Sequence, residues 1–156
     1  MIVGLAMIAA AAALDRARGQ NLGDFDWNLP WKKMPPEQLR EHARAEGAGW
    51  ARGYLDADAY DWTYVPALPL RTLQAIMSPA AWREWYADER HGRPAYFRDL
   101  EKAWAKSPVA VGPVVIAQTA DGAWDVGDGW HRLGVAFVQN RRTVPAIVGK
   151  PRRVTE

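Results

Sequence analysis

Apolar residues along this chain follow two rhythms, and the changes between them mark its elements. Around "PAAWREWYADER" the period is helical: Trp82, Trp85 and Tyr86 share one face, with Ser78 and Pro79 placed as N-cap and first helical position. "HGRP" breaks that helix. A second begins at Pro94, and Phe97, Leu100, Ala103 and Trp104 keep the 3.6-residue period until Ser107 and Pro108 end it. Upstream, Pro36 is placed to start a helix with Leu39, Ala43 and Trp50 on one stripe, Glu37, Glu41 and Glu46 on its solvated face, and Gly47 and Gly49 to end or bend it. Between Gln20 and Pro36 the pattern reads as a loop pinned by Trp27 and Trp31.

Strand-like patterns fill the rest. "DADAYDWTYVPALPLRTL" alternates around two prolines, which predicts an extended segment at a sheet edge. "VAVGPVVIAQTADGAWDVGDG" predicts a hairpin: a Val-Val-Ile strand, the turn Ala120-Asp121-Gly122, and a second strand through Trp124 and Val126. A helix follows from about His131 to Asn140, and then a last strand in which Pro145 fits an edge or first-residue position.

A length of 156 residues suits one domain with a genuine core. A hydrophobic share of 49% and a charged share of 24% describe an ordinary globular protein rather than a disordered or membrane-embedded one. The nine tryptophans are expected to fill the core and staple loops rather than form a base-stacking surface. The apolar run Met1 to Leu14 is shorter than the ~20 residues of a spanning helix. Its first positive side chain, Arg16, follows the run instead of preceding it as in a secretory signal. The expectation is an Ala-rich helix docked on a cytoplasmic protein, with a signal peptide or an over-extended start as alternatives.

The net charge of +2 is too small to select a polyanion partner over the whole surface. Arg141, Arg142, Lys150, Arg152 and Arg153 nevertheless make the C-terminal end basic, either as a solvated tail or as a contact for nucleic-acid phosphates. The absence of cysteine excludes disulfides, thiolate nucleophiles and zinc-thiolate sites. His42, His91 and His131 lack the i, i+4 spacing that presents two imidazoles to one metal, and no metal site is expected in the protein itself. His42 and His91 are expected at the surface or in loops. Asp56, Asp58 and Asp61 could offer oxygen ligands to magnesium, but their spacing is not a calcium loop.

Chemistry concentrates in "WDVGDGWHRLGVAFVQNRRTVPAIVG": strand, glycine-bounded turn, helix, strand. A helix that starts just after such a turn points unpaired amides and the positive end of its dipole at one spot. Gly127 and Gly129 allow close backbone approach, Arg132 adds a guanidinium suited to phosphate, and His131 can donate beside it. The same residues also fit an ordinary tight turn in which Asp128 only caps the helix.

The run Asp125 to Gly149 resembles the sulfiredoxin/ParB superfamily, whose members pair a strand, a Gly-x-His-Arg-like turn, a helix and a closing Val-Pro-x-Ile-Val-like strand. "VPALPLRTL", "RPAYFRDLEKAW" and "SPVAVGPVVIA" stand in the order that fold requires, so a weaker resemblance covers about Tyr64 to Gly149. The resemblance implies an α+β fold: a compact ParB/sulfiredoxin-like domain with a mixed sheet and flanking helices over residues 61–156, ending in a short basic tail. Residues 1–60 would form an N-terminal apolar helix and a Trp-anchored helical extension.

It also implies a nucleotide-phosphate site, for ATP in sulfiredoxins and the fold's free-serine kinases and for CTP in ParB proteins. Gly127, Gly129, Trp130, His131 and Arg132 would line that site, with Asp128 where the kinases carry a catalytic acid, His131 assisting it, and magnesium arriving with ATP or CTP. The departures narrow this reading. Trp130 stands where sulfiredoxins carry the catalytic cysteine, so sulfinic-acid reduction is excluded. Tyr96, Asp99 and Ala103 stand where sulfiredoxins use Lys, Ser and Thr on phosphates, leaving Arg93 and Arg98 as additional candidates. No helix-turn-helix module of the ParB partition proteins follows, so sequence-specific DNA binding of that kind is not expected. The leading expectation is an ATP- or CTP-dependent phosphotransferase or hydrolase. The alternative is a non-catalytic ParB-like adaptor, nucleic-acid associated and of mobile-element origin. A nuclease reading lacks a set of metal-binding carboxylates.

Overall fold

Proline and its neighbours open the helices as their chemistry requires. In a computed structural model, which describes residues 28–46, 55–106 and 112–153, Ser78 Oγ accepts the Ala81 amide at 3.1 Å with Pro79 at the first position of its helix. The order of elements is α1 (Leu29–Lys32), α2 (Pro36–Glu46), a 3-10 turn (Ala57–Ala59), β1 (Tyr60–Pro69), a second 3-10 turn (Leu70–Ala75), α3 (Pro79–Gly92), α4 (Pro94–Lys106), β2 (Val114–Gln118), β3 (Trp124–Asp128), α5 (Trp130–Val138) and β4 (Thr143–Pro151). The expectations for Met1–Leu14, Trp27, Gly47, Gly49, Trp50, Ser107 and Pro108 lie outside the described residues. Among those described, no helix is long and apolar enough to cross a membrane.

The fold is α+β, with one mixed sheet in the order β1-β4-β2-β3: β4 pairs antiparallel to β1 and parallel to β2, and β2 forms the antiparallel hairpin with β3. β1 lies at an edge, as its prolines predict. Pro145 does not. It is the third residue of the central strand β4, yet it falls where the β1 register shifts between Val65 and Leu68 and just before β2 pairing begins at Val114 and Ala146. A proline without an N–H is tolerated there because it interrupts no ladder bond.

Both faces of the inner strands are covered, which is why β2 reads as an unbroken apolar run. On one face Val114 and Ile116 join Trp82, Tyr86, Phe97, Trp104, Leu133 and Phe137 from α3, α4 and α5. On the other, Val115 and Ala117 join Trp31, Leu39, Ala43, Trp62 and Ile147 under α1 and α2. The described tryptophans thus serve the core: Trp31, Trp62, Trp82 and Trp104 are buried, and Trp85, Trp124 and Trp130 pack against it partly covered. Trp62 lies flat over Gly149 of β4, where an added Cβ would stand 2.6 Å from the ring. Ala103 is exposed, because the buried stripe of α4 narrows to Phe97 and Trp104 with Leu100 partly covered.

Two further expectations change. Residues 29–32 form a helical turn rather than a loop, with Pro30 in its first turn and Trp31 packed on Tyr64 at 6.2 Å. His42, expected at the surface, is 9% exposed on α2 and meets Trp31 edge-on at 5.3 Å, with Nδ1 buried and without a partner. The cause is helical spacing: His42 and Ala43 follow Leu39 at i+3 and i+4 and share its buried face.

Burial holds the His42 imidazole below its ordinary value of 6.5; the negative charge of Asp128 opposes this and the positive charge of Arg132 adds to it. The unfolded chain therefore takes up a proton first as pH falls. The contribution of His42 is complete above pH 6.5 and is lost progressively below it. Melting curves from pH 8 to 5 should lose less stability in His42→Leu than in the wild type; parallel profiles would refute the assignment.

Candidate functional site

The glycine-rich turn forms because β3 ends directly above the start of β2. Gly129 takes φ 101°, and a Cβ on it would stand 2.6 Å from Val114 Cγ1 and 3.2 Å from Val114 Cα. Only glycine permits both the left-handed backbone and that approach. The first intrahelical bond of α5 runs from Leu133 N–H to the Gly129 carbonyl at 2.9 Å, so the amides of Trp130, His131 and Arg132 precede it, and no side chain caps this end. Asp128 is not the cap that the tight-turn reading allows. Its Oδ2 instead accepts from Arg132 Nη2 at 2.5 Å.

Arg132 faces inward more than its position predicts. Nη1 donates to the carbonyls of Gly112 at 2.8 Å and Pro113 at 3.0 Å, and the side chain is 14% exposed. Three of its five donors are engaged; Nε and the second hydrogen of Nη2 remain. The residue staples the loop before β2 to the turn and holds Asp128 beside it.

His131 stands in an aromatic corner supplied by α3 and α4. Its ring stacks on Trp85 at 5.9 Å and meets Phe97 at 4.9 Å; Nδ1 is 3.4 Å from the Tyr96 hydroxyl and Nε2 is 3.4 Å from Glu89. Trp130 is half-buried against Trp82 at 5.3 Å and Trp85 at 6.0 Å, so its ring is anchored in the core.

Gly127 through Arg132, with Tyr96 and Leu100 from α4 and Glu46 from α2, surround a concavity of about 430 Å³. Glu46, Glu89 and Tyr96 were not among the expected site residues. They come from helices far away in sequence, and for Tyr96 the signal was its place where the resembled family carries a phosphate ligand. Neither Arg93 nor Arg98 lines the concavity. Arg93 lies over the Tyr96 ring at 4.3 Å, and Arg98 is exposed on α4, where its charge helps Arg90 hold the Glu101 carboxyl below the ordinary carboxylate range.

Glu46 and Asp128 are the two carboxylates in the concavity, and among the described residues no three His, Cys, Asp or Glu side chains gather as a metal site. Such a donor set suits a magnesium ion that brings its own phosphate oxygens, not one held by protein alone. Asp56, Asp58 and Asp61 disperse to other tasks: capping the 3-10 turn, pairing with Arg44 and pairing with Arg152 at 3.0 Å. The basic C-terminal end also divides. Lys150, Arg152 and Arg153 border a surface groove with Asp61, while Arg141 and Arg142 lie at the other end of β4. No family model, no curated protein and no solved structure matches this chain.

Proposed function

We propose that the turn between β3 and α5 cradles the phosphates of a nucleotide, in an ATP- or CTP-dependent phosphotransferase or hydrolase. One observation carries the reading: α5 begins uncapped at a left-handed glycine on the border of the 430 Å³ concavity. Free amides and the helix dipole favour an anion there. Tyr96, 42% exposed with Arg93 over its ring, offers the base a stacking face. Magnesium, when bound with the nucleotide, would neutralise phosphate charge, and Glu46 and Asp128 are the carboxylates that would hold it.

The residues then take distinct roles. Arg132 keeps the turn in shape and has two donors left for phosphate. His131 hydrogen-bonds beside it, and Asp128 either orients the metal or, once phosphate competes for its arginine, accepts a proton from the attacking group. The pairing of Asp128 with Arg132 also supports the second reading, an adaptor of ParB-like descent that keeps the fold without catalysis.

Calorimetric titration with ATP, CTP and GTP in the presence of magnesium is expected to give binding to the wild type. Tyr96→Ala should weaken it by about tenfold, the lower part of the ~1–3 kcal/mol range for stacking one base, with an unchanged melting temperature. Arg132→Ala should abolish it. No heat with any nucleotide would leave only the adaptor.

A further inference from the structure

A second concavity, of about 530 Å³, lies at the opposite end of α5 from the turn, where the 3-10 turn after β1, the start of α3 and the α5–β4 connection meet. Four arginines border it, Arg71, Arg83, Arg141 and Arg142, and no acidic residue does. We infer that this surface docks the phosphodiester backbone of a nucleic acid.

What sets the feature apart is that four arginines without a carboxylate partner share one border. Arg44, Arg90, Arg132 and Arg152 each meet a carboxylate. Among the described residues, the four arginines here meet none. Arg83 donates to Asn140 Oδ1 at 3.0 Å, and Arg141 donates to Gln139 Oε1 and the Trp104 carbonyl, both at 3.1 Å, so these two contact only neutral acceptors. Among the described residues, Arg71 and Arg142 are exposed and no side-chain partner holds either. Four unneutralised guanidiniums repel one another, and a polyanion relieves that repulsion.

The backbone beneath them is fixed. Leu70 N–H donates to the Arg142 carbonyl at 3.0 Å, which holds the segments bearing Arg71 and Arg142 together. After α5, Asn140 at φ 53° and Arg141 close the helix with amide bonds to the Phe137 and Ala136 carbonyls at 3.2 and 3.0 Å, an αL termination that sets where the next arginines stand. Pro79, also on the border, opens the 14-residue α3 and adds the positive end of its dipole.

A nucleic acid fits this chemistry better than a protein. Protein interfaces are anchored by exposed aromatic or aliphatic side chains. The exposed large apolar residues, Leu29, Tyr96 and Val138, do not border this concavity, and its Leu70 and Phe137 are buried. What remains on offer is guanidinium forks, which match phosphate oxygens. Four of them exceed the need of a single phosphate and suit a repeating one. The site does not depend on the nucleotide reading, because the nine residues of α5 separate the two by about 12 Å at ~1.5 Å per residue.

Anisotropy titrations of the full chain with a labelled single-stranded oligonucleotide and with a duplex, between 50 and 200 mM salt, test the inference. Wild-type affinity should fall linearly with salt on logarithmic axes. Arg71→Ala/Arg142→Ala should bind at least tenfold more weakly, with a salt slope shallower by about 1.4–1.8 for two lost phosphate contacts and an unchanged melting temperature. Lys150→Ala/Arg152→Ala/Arg153→Ala should retain wild-type binding. Absence of binding, a flat salt response, or loss in the second variant instead of the first would overturn the proposal. So would equal competition by a glutamate-rich peptide of matched charge, which would make the partner an acidic protein segment.

Discussion

Replacing Gly129 with alanine is expected to destabilise the protein by about 2–6 kcal/mol, combining a non-glycine left-handed residue at ~1–3 with overpacking at ~1–3 kcal/mol. The collision is with main chain as well as side chain: the new Cβ would stand 2.6 Å from Val114 Cγ1, 2.9 Å from its Cβ and 3.2 Å from its Cα. Val114 is fully buried and begins the β2 pairing with β4 at Ala146, so it cannot yield without shifting the sheet. At ~2–4 °C per kcal/mol for a chain of this size, the melting temperature should drop by about 10 °C. Gly122→Ala separates the two contributions. Gly122 has φ 85° but nothing within 4 Å of an added Cβ, so it should show strain alone, about 1 kcal/mol. Equal losses in the two variants would mean that the turn relaxes away from Val114. Nucleotide affinity should vanish in the Gly129 variant and persist in the Gly122 one, since only the first displaces the amides at the start of α5.

Trp82→Ala carries the other large effect, about 3–5 kcal/mol. The indole is fully buried, stacks on Phe137 at 5.3 Å and 10°, and touches Trp130 at 5.3 Å and Trp85 at 6.0 Å. Its Nε1 donates to the Leu73 carbonyl at 3.3 Å, so truncation leaves a cavity and removes one hydrogen bond from a carbonyl that keeps the Ile76 amide at 3.1 Å. The damage should reach the site, because Trp130 packs on this ring and His131 stacks on Trp85 beside it. Trp82→Phe should cost less while still losing the hydrogen bond. Urea denaturation would measure both, and a loss below about 1 kcal/mol in the alanine variant would show that neighbouring rings refill the space.

Local patterns were enough to locate most elements. Ser78 with Pro79, Pro94 and the apolar stripes of α3 and α4 mark helices within a few residues of their true limits, since capping and 3.6-residue periodicity act over one or two turns. The hairpin of β2 and β3 was legible for the same reason. The turn was legible because its glycines and Arg132 lie within a few residues of one another. Its wider surroundings were not. The carbonyls that occupy Arg132 belong to Gly112 and Pro113, some twenty residues earlier, and the acid opposite Asp128 belongs to Glu46 on the far layer.

The basic C-terminal end shows the division most clearly. Sequence alone determined that Arg141, Arg142, Lys150, Arg152 and Arg153 concentrate positive charge and that an extended strand joins them. Only the tertiary structure decided that they act in two places. Eight residue steps along β4 at ~3.3 Å each carry Lys150 about 26 Å from Arg142, to a groove where Asp61 neutralises Arg152. At the near end, chain folding brings Arg71 and Arg83 beside Arg141 and Arg142. Composition records how much charge a chain carries, whereas the sheet order and the packing of α3 and α5 determine which charges share a surface.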